Sequence, residues 1–458
     1  MCMTVSEYLT SLKHKRVAVI GIGVSNTPLI RMLLRAGIDV TACDKNGRSE
    51  LGGVADELES LGAHLQLGAD YMEGLDQDVI FRTPGLRPDV PALETARAHG
   101  AEITSEMEVF FRVCPCKIIA VTGSDGKTTT TTIISELLKA AGYNVYVGGN
   151  IGKPLLPDAA GMEPEDVAVL ELSSFQLMTM TQSPDIAVVT NVTPNHLDVH
   201  KSMSEYIAAK ENVFRYQSAD GLAVFNLDND ITRAFAETAV GKTVCFSRRE
   251  ELPSGVYVKE DAIWSGDRKV LPLADILIPG VHNVENYMAA IAAVESMVSD
   301  EVIRKVAKTF GGVEHRIELV RTLNGVRYYN DSIASSPTRT IAGLRSFREK
   351  VILIAGGYDK KIPFDELGVE ITKHVKVLVL TGTTAPKIRT AVETAPGYDG
   401  SNPEILEFGD FNRAVLAAHQ AAQPGDVVIL SPACASFDKF KNFMVRGETF
   451  KKIIYELE

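Results

Sequence analysis

The sequence predicts an α/β protein of three domains built on mainly parallel sheets. Two observations carry this. The chain has 458 residues, and domains run at roughly 100–200 residues each, so about three are expected. Short apolar runs recur along it, many ending at Gly, Asp, Glu, Asn or Thr, with amphipathic stretches between most of them. Strand–helix alternation of this kind belongs to parallel sheets, whose ligands bind beyond the carboxyl ends of the strands. The runs are Val17–Ile20, Ile118–Val121, Val167–Leu170, Ile186–Val189, Lys350–Ala355, Val375–Leu380 and Val427–Leu430. The expected domains span residues 1–104, 105–313 and 314–458.

Composition narrows the function classes. Hydrophobic residues make up 45% and charged residues 23% of the chain, which excludes global disorder. The net charge of −12 argues against a nucleic-acid surface, which needs basic patches. It leaves anionic small molecules open, because a few local donors hold a phosphate. No apolar run approaches the roughly 18 residues of a membrane helix, so no membrane partner is expected. Met1 to Lys15 lacks the apolar core of a signal peptide. The six cysteines (2, 43, 114, 116, 245, 434) complete no zinc pattern. Reduced thiols and a cytoplasmic location are the expectation.

In the first block, Val17–Ile20 leads into Gly21-Ile-Gly23-Val24-Ser25-Asn26. A helix should follow, with Pro28 in its first turn and Gly37 as its left-handed stop. A second strand ends at Asp44. The layout is Rossmann-like and resembles a dinucleotide fingerprint, with the acid near a ribose hydroxyl. Asn26 stands in place of the third glycine, however, so nucleotide, nucleotide-sugar and purely structural readings stay open. Thr83-Pro84-Gly85 is another strand-end turn that would face the same ligand or serve only as a turn.

The second block holds the strongest signal. Ile118–Val121 runs into Thr122-Gly123-Ser124-Asp125-Gly126-Lys127-Thr128-Thr129, and a helix to about Ala141 follows, stopped by Gly142. Small residues let backbone N–H groups approach phosphates, and the helix N-terminus adds positive potential. Lys127 is placed for the outer phosphates and a Thr hydroxyl for Mg²⁺. This is a P-loop ATPase-type layout, though Val121 stands where the motif's first glycine would be. Glu171 ends the next strand, at the position of a metal-binding carboxylate. His196 and Asp198 follow Ile186–Thr190 on a loop at another strand end. Ser202 and Glu205 form a capping-box pattern, so a helix starts there. Its stripe of Met203, Tyr206, Ile207, Val213 and Phe214 puts Lys210 on the buried face. A Lys there must find a partner, lose its charge or snorkel.

Together, Gly123-Ser-Asp-Gly-Lys-Thr-Thr129, Glu171-Leu-Ser-Ser-Phe-Gln176, Asn191-Val-Thr-Pro-Asn-His-Leu-Asp198 and Lys210 in Ala-Ala-Lys-Glu-Asn resemble the ATP-dependent Mur ligases. The resemblance covers essentially the whole chain. Glu171–Leu177 and Leu430-Ser-Pro-Ala-Cys-Ala-Ser436-Phe-Asp-Lys-Phe-Lys-Asn-Phe443 are most similar to the branch that adds D-glutamate. The resemblance implies a ligase joining D-glutamate to UDP-N-acetylmuramoyl-L-alanine with ATP, in a monomer. Gly123, Ser124, Asp125, Gly126, Lys127, Thr128 and Thr129 would hold ATP phosphates. Two Mg²⁺ ions are implied, with Thr128 and Glu171 at one and His196 at a second. Lys210 would carry a CO₂-derived carbamate that ligates the second ion or orders its water. Asn283 and Asn286 would lie near the adenine side of ATP, where helix capping is the alternative. The first block would bind UDP instead of a dinucleotide, through Val24, Ser25, Asp44 and Gly85. Asn150 and His196 would also contact this substrate.

The third block continues the resemblance as a second Rossmann-like domain. Arg316, after Gly311-Gly312, would clamp the γ-phosphate, and Asp331 would contact the nucleotide. The family pattern Asp-Ser-Lys-Ala-Thr-Asn reads here with Ile333 for Lys and Ser335 for Thr. Lys360, with Lys361 as a competitor, would hold one D-glutamate carboxylate, and Ser436 and the backbone at Phe443 the other. Three rivals are weighed. A sibling Mur ligase or a folylpolyglutamate synthetase is disfavoured by Phe175-Gln176 and the Ser436–Phe443 segment. An NAD-dependent oxidoreductase leaves Lys127, Glu171 and Lys210 without a task. A regulatory NTPase would turn over ATP with no acceptor.

Overall fold

The structure is a computed structural model that describes residues 3–195 and 199–458. The chain divides into two compact units: Met1–Leu273 with Glu285–Val306, and Ala274–Val284 with Ala307–Glu458.

The first unit holds two sheets. The first contains β1 (Arg16–Ile20), β2 (Asp39–Asp44), β3 (His64–Leu67), β4 (Val79–Phe81) and β5 (Glu102–Thr104), all parallel in the order β3-β2-β1-β4-β5. The order reverses between β1 and β4, so their carboxyl ends open a crevice. The turns Gly21–Gly23 and Thr83–Gly85 both lie there. The expected helix spans Asn26–Arg35, and Gly37 takes φ +73° after it.

The second sheet contains β6 (Lys117–Thr122), β7 (Val145–Gly149), β8 (Val167–Glu171), β9 (Ile186–Val189), β10 (Leu222–Asn226), β11 (Lys242–Ser247), β12 (Val256–Lys259), β13 (Ala262–Ser265) and β14 (Arg268–Pro272). Their order is β14-β13-β12-β11-β10-β9-β6-β8-β7. β6, β8 and β9 are almost wholly buried, which is why they read as continuous Val/Ile/Leu/Ala runs without alternation. The antiparallel hairpins β12–β14 at the edge were not foreseen. The first turns through Glu260 and Asp261, both at positive φ. That geometry usually advertises itself as Asn-Gly or Asp-Gly, and here it does not.

The second unit holds β15 (Glu318–Leu323), β16 (Val326–Asn330), β17 (Val351–Ala355), β18 (Val375–Leu380), β19 (Glu404–Glu407) and β20 (Val427–Leu430), ordered β15-β16-β20-β17-β18-β19. Only the β15–β16 hairpin is antiparallel. Its two-residue turn is Asn324-Gly325, both at positive φ. Apolar clusters cover both faces of this sheet. Among the described residues, no helix is long and apolar enough to cross a membrane.

Candidate active site

The phosphate loop leaves β6, an interior strand lying between β8 and β9. Gly123 (φ +150°) and Gly126 (φ +80°) have no room for a side chain. A Cβ on Gly123 would meet Thr190 Oγ1 at 1.9 Å, and one on Gly126 would meet Asn286 Oδ1 at 2.4 Å. The helix Lys127–Ala140 begins directly after Gly126, so its first-turn N–H groups point toward the loop. The end of β9 braces the loop from below. Ser124 N–H donates to the Asn191 carbonyl and Asp125 N–H to Asn191 Oδ1, both at 2.9 Å. Thr190 Oγ1 donates to the Asp125 carbonyl at 2.6 Å. Asp125 itself is exposed, so its carboxylate does not crowd the loop. Thr130 Oγ1 donates to Asn286 Oδ1 at 3.2 Å. Asn286 therefore packs on the phosphate loop.

Two predicted residues, Thr128 and Asn150, meet at Glu171. Glu171 is 2% exposed. It accepts from Thr128 Oγ1 at 2.6 Å and from Asn150 Nδ2 at 2.7 Å. Asn150 is brought there by β7 lying beside β8, with Asn150 N–H on the Glu171 carbonyl at 2.7 Å. A buried carboxylate beside a Thr hydroxyl is the hard-oxygen donor set that Mg²⁺ takes, so these residues fit the ion. Thr129 follows in the first helical turn, half-buried. His196 lies outside the described residues.

Lys210 is 1% exposed, as the helical stripe required. Its Nζ donates to the Gly123 carbonyl at 2.7 Å and lies 4.7 Å from the Tyr206 ring centre. Lys127 Nζ donates to the same carbonyl and to that of Ser124, each at 3.0 Å. Burial first, and then the charge of Lys127, hold the Lys210 amine well below the usual lysine range. A neutral amine is the nucleophilic form, so the residue fits carbamylation. The helix start differs from the expected capping box. Ser202 caps Glu205 N–H, but the Glu205 carboxylate accepts from Lys201 N–H and from Arg87.

At the first crevice, Asp44 is buried and bound to backbone: it accepts from Ile22 N–H at 2.6 Å and Asn46 N–H at 2.8 Å. It shapes the glycine turn. Asn26, in the place of the third glycine, donates to the Ile20 carbonyl at 2.9 Å. Val24 is 82% exposed, and Gly85 is exposed on the neighbouring turn. A pocket lined by Ser25, Asn26, Pro84, Glu106, Gly149 and Gln176 connects this crevice to the strand ends beside Glu171.

In the second unit, Arg316 lies in a tight turn whose flanking residues His315 (φ +63°) and Ile317 (φ +45°) are both left-handed. For a β-branched residue that is a strained backbone. Asp331 holds it, accepting from Ile317 N–H at 3.3 Å and Ser431 Oγ at 2.7 Å. Complete burial pushes the Asp331 carboxyl up to about 7. Asn283 donates to the Pro279 carbonyl at 2.6 Å. Strand ends gather the amino-acid candidates. Tyr358 N–H bonds the Ala435 carbonyl at 2.9 Å, which brings exposed Lys360 and buried Ser436 onto adjoining loops. Ser332 Oγ donates to the Phe443 carbonyl at 2.8 Å, tying the loop that carries Ser335 to Phe443. Sequence reasoning missed the staple between them. Arg446, 2% exposed, donates to Ser332, Cys434 and Ala435 carbonyls. It looks like one more helix-surface arginine until the loops are in place. Asn191 was missed too. Its position at the end of an apolar strand was the available signal.

Residues 121–294 match the Mur ligase middle domain, and residues 315–434 match the Mur ligase, glutamate ligase domain. The chain is 55% identical to UDP-N-acetylmuramoylalanine--D-glutamate ligase of Acetivibrio thermocellus, over 99% of both chains. It is 52% identical to the protein of the same name from Clostridium novyi, over the full length of both. The chain belongs to the Mur ligase family. Solved structures share its fold. UDP-N-acetylmuramate-alanine ligase from Thermotoga maritima is similar with a TM-score of 0.59 at 18% identity, covering 96% of this chain and 99% of that one. A pseudomurein peptide ligase type C from Methanothermus fervidus is similar with a TM-score of 0.52 at 17% identity, covering 97% and 100%. The relatives from Acetivibrio thermocellus, Clostridium novyi and Clostridium beijerinckii, 52–55% identical along this Mur ligase chain, carry the D-glutamate ligase name.

Proposed function

We propose that this Mur ligase joins D-glutamate to UDP-N-acetylmuramoyl-L-alanine at the expense of ATP. The observation that carries the reading is the meeting of Thr128, Glu171 and Asn150 beside Lys127 and buried Lys210, on a chain 55% identical to a ligase of that name. Residues 1–104 take the UDP substrate, 105–313 take ATP, and 314–458 take the amino acid. Val24, Ser25, Asp44, Gly85 and Asn150 serve the UDP substrate, with Asp44 acting through the turn it shapes. Residues 123–129 cradle the phosphates, and Asn283, Asn286, Arg316 and Asp331 complete the ATP contacts. Ser335, Lys360, Ser436 and Phe443 take the D-glutamate carboxylates. Thr128 and Glu171 would hold one Mg²⁺, and His196 and carbamylated Lys210 a second. Bound there, the ions offset the charge of the phosphates.

A carboxylate is a poor electrophile, so it must first acquire a leaving group. One oxygen of the alanyl carboxylate attacks the γ-phosphorus, the bond to the β–γ bridging oxygen breaks, and ADP leaves. The D-glutamate amine then attacks the acyl carbon. The tetrahedral intermediate expels inorganic phosphate, and the nitrogen loses its proton as the amide forms. The chain's contribution is positioning and charge: Lys127 and Arg316 neutralise the moving phosphoryl, and the loop N–H groups orient it. A monomer acting in the cytoplasm, where ATP and the UDP-sugar meet, belongs to the same reading. The test is an amino-acid panel with ADP release as readout and UDP-N-acetylmuramoyl-L-alanine as acceptor. D-Glutamate should be preferred. Preference for L-alanine, L-lysine or diaminopimelate, or ADP release with no amino acid, overturns the reading.

A further inference from the structure

Arg82 and Arg87 lie outside every role assigned so far. Both leave the loop after β4, which carries Thr83, Pro84 and Gly85. Arg82 is 1% exposed. Its Nη1 donates to the Leu86 carbonyl at 2.9 Å and the Pro84 carbonyl at 3.3 Å, closing that turn. Its Nη2 crosses to the other sheet, donating to the Phe175 carbonyl at 3.1 Å and Thr179 Oγ1 at 2.9 Å. Phe175 lies four residues beyond Glu171. Arg87 makes the second crossing. It donates to both Glu205 oxygens, at 2.8 and 3.1 Å, and to the Val199 carbonyl at 2.8 Å. Asp89 holds its other side at 2.8 and 3.0 Å. Glu205 sits in the first turn of the helix Met203–Arg215 that carries Lys210.

Both crossings therefore start at the candidate UDP loop. One ends beside Glu171 and the other on the Lys210 helix. An apolar contact would bury the same surface but would tolerate sliding. A guanidinium fork with several fixed acceptors sets distance and orientation together. We propose that Arg82 and Arg87 are positioning residues that set the spacing between the UDP-substrate loop and the phosphoryl-transfer groups Glu171 and Lys210. The inference rests on the reading given under Proposed function. Misplacement of about 1 Å far from the reacting atoms costs up to roughly 100-fold in rate, so loss of the clamp should appear in kcat.

Thr179→Val and Glu205→Gln remove the hydroxyl and the carboxylate charge at the far ends, so the clamp is weakened to the Phe175 and Val199 carbonyls and one amide oxygen, and leave the UDP loop with its own arginines. In the double variant, kcat for D-glutamate-dependent ADP release should fall by about 10- to 100-fold. Dissociation constants for UDP and for ATP, measured separately by calorimetry, should stay at wild-type values, because each half-site is intact. Arg87→Lys should behave like a loss, since a single ammonium cannot make the fork. Rates are taken per folded enzyme from the circular-dichroism melting curve. Wild-type kcat in the double variant overturns the proposal, as does a fall in kcat matched by lost UDP or ATP binding. Wild-type enzyme assayed alongside separates the two levels: absence of acceptor-dependent turnover there overturns the functional reading, and the proposal with it.

Discussion

Replacing Lys210 by alanine separates the two faces of that residue. The amine is buried against the Gly123 carbonyl and beside Lys127. Its removal relieves a desolvation cost of about 1–3 kcal/mol. Against this, the lost hydrogen bond costs about 1 kcal/mol and the emptied stem about 2–4 kcal/mol. The balance is a net loss of about 2 kcal/mol, so the melting temperature should fall by a few degrees. Activity has no such compensation. Loss of one preorganised charge at a phosphoryl site costs about 100- to 1,000-fold, or about 3–4 kcal/mol. The vacated slot ends on Thr122 Oγ1 and the Gly123 carbonyl. The assay is ADP release by Lys210→Ala in rising acetate or formate, with wild type assayed in bicarbonate-depleted buffer. Rate recovery that saturates with carboxylate is expected. Near-wild-type turnover in the variant refutes the reasoning, as does joint absence of rescue and of bicarbonate dependence.

Four further outcomes are expected. Glu171→Gln should lower turnover by about 100-fold with a small stability change, because the amide keeps a partner at Thr128 or Asn150; Mg²⁺ titration of ADP release checks it, and an unchanged Mg²⁺ requirement would count against Glu171 as a ligand. Gly126→Ala should cost about 1–2 kcal/mol for its positive φ plus about 1 kcal/mol for the displaced Asn286, and should cut turnover. Gly62→Ala, with φ +101° but open space around it, should show only the first cost in a urea melt and full activity. Asp331 has a folded-state carboxyl raised to about 7 from an ordinary value near 4. Its contribution to stability is present in full below about pH 4 and is lost as pH rises through about 7, by about 4 kcal/mol in order of magnitude. Asp331→Asn should therefore gain on wild type across that window; parallel urea-stability curves from pH 4 to 8 would refute the burial argument.

Much of the site was legible because its chemistry sits at strand ends. Glu171 follows four apolar residues, the phosphate loop lies between a strand and a helix, and Lys210 breaks an apolar stripe at helical spacing. Each is a local pattern, and local patterns survive in one dimension. The hairpins β12–β14 were not legible, because Glu260 and Asp261 take a left-handed turn without the residues that usually signal it. Asp44 was legible as a strand-end acid, but its bond to Ile22 N–H was not, since that amide belongs to another strand's turn.

The sequence by itself determined which groups the chain offers and in what order: small residues and Lys127 ahead of a helix, an acid at a strand end at 171, and a lysine inside an apolar helical stripe at 210. Only the tertiary structure decided which of them meet. Asn150 reaches Glu171 because β7 lies beside β8, Lys210 reaches Gly123 across 87 positions, and Arg82 reaches Thr179 across 97. Those distances follow from strand order and crossover connections, which depend on how whole faces bury against one another. No short window of sequence contains that information.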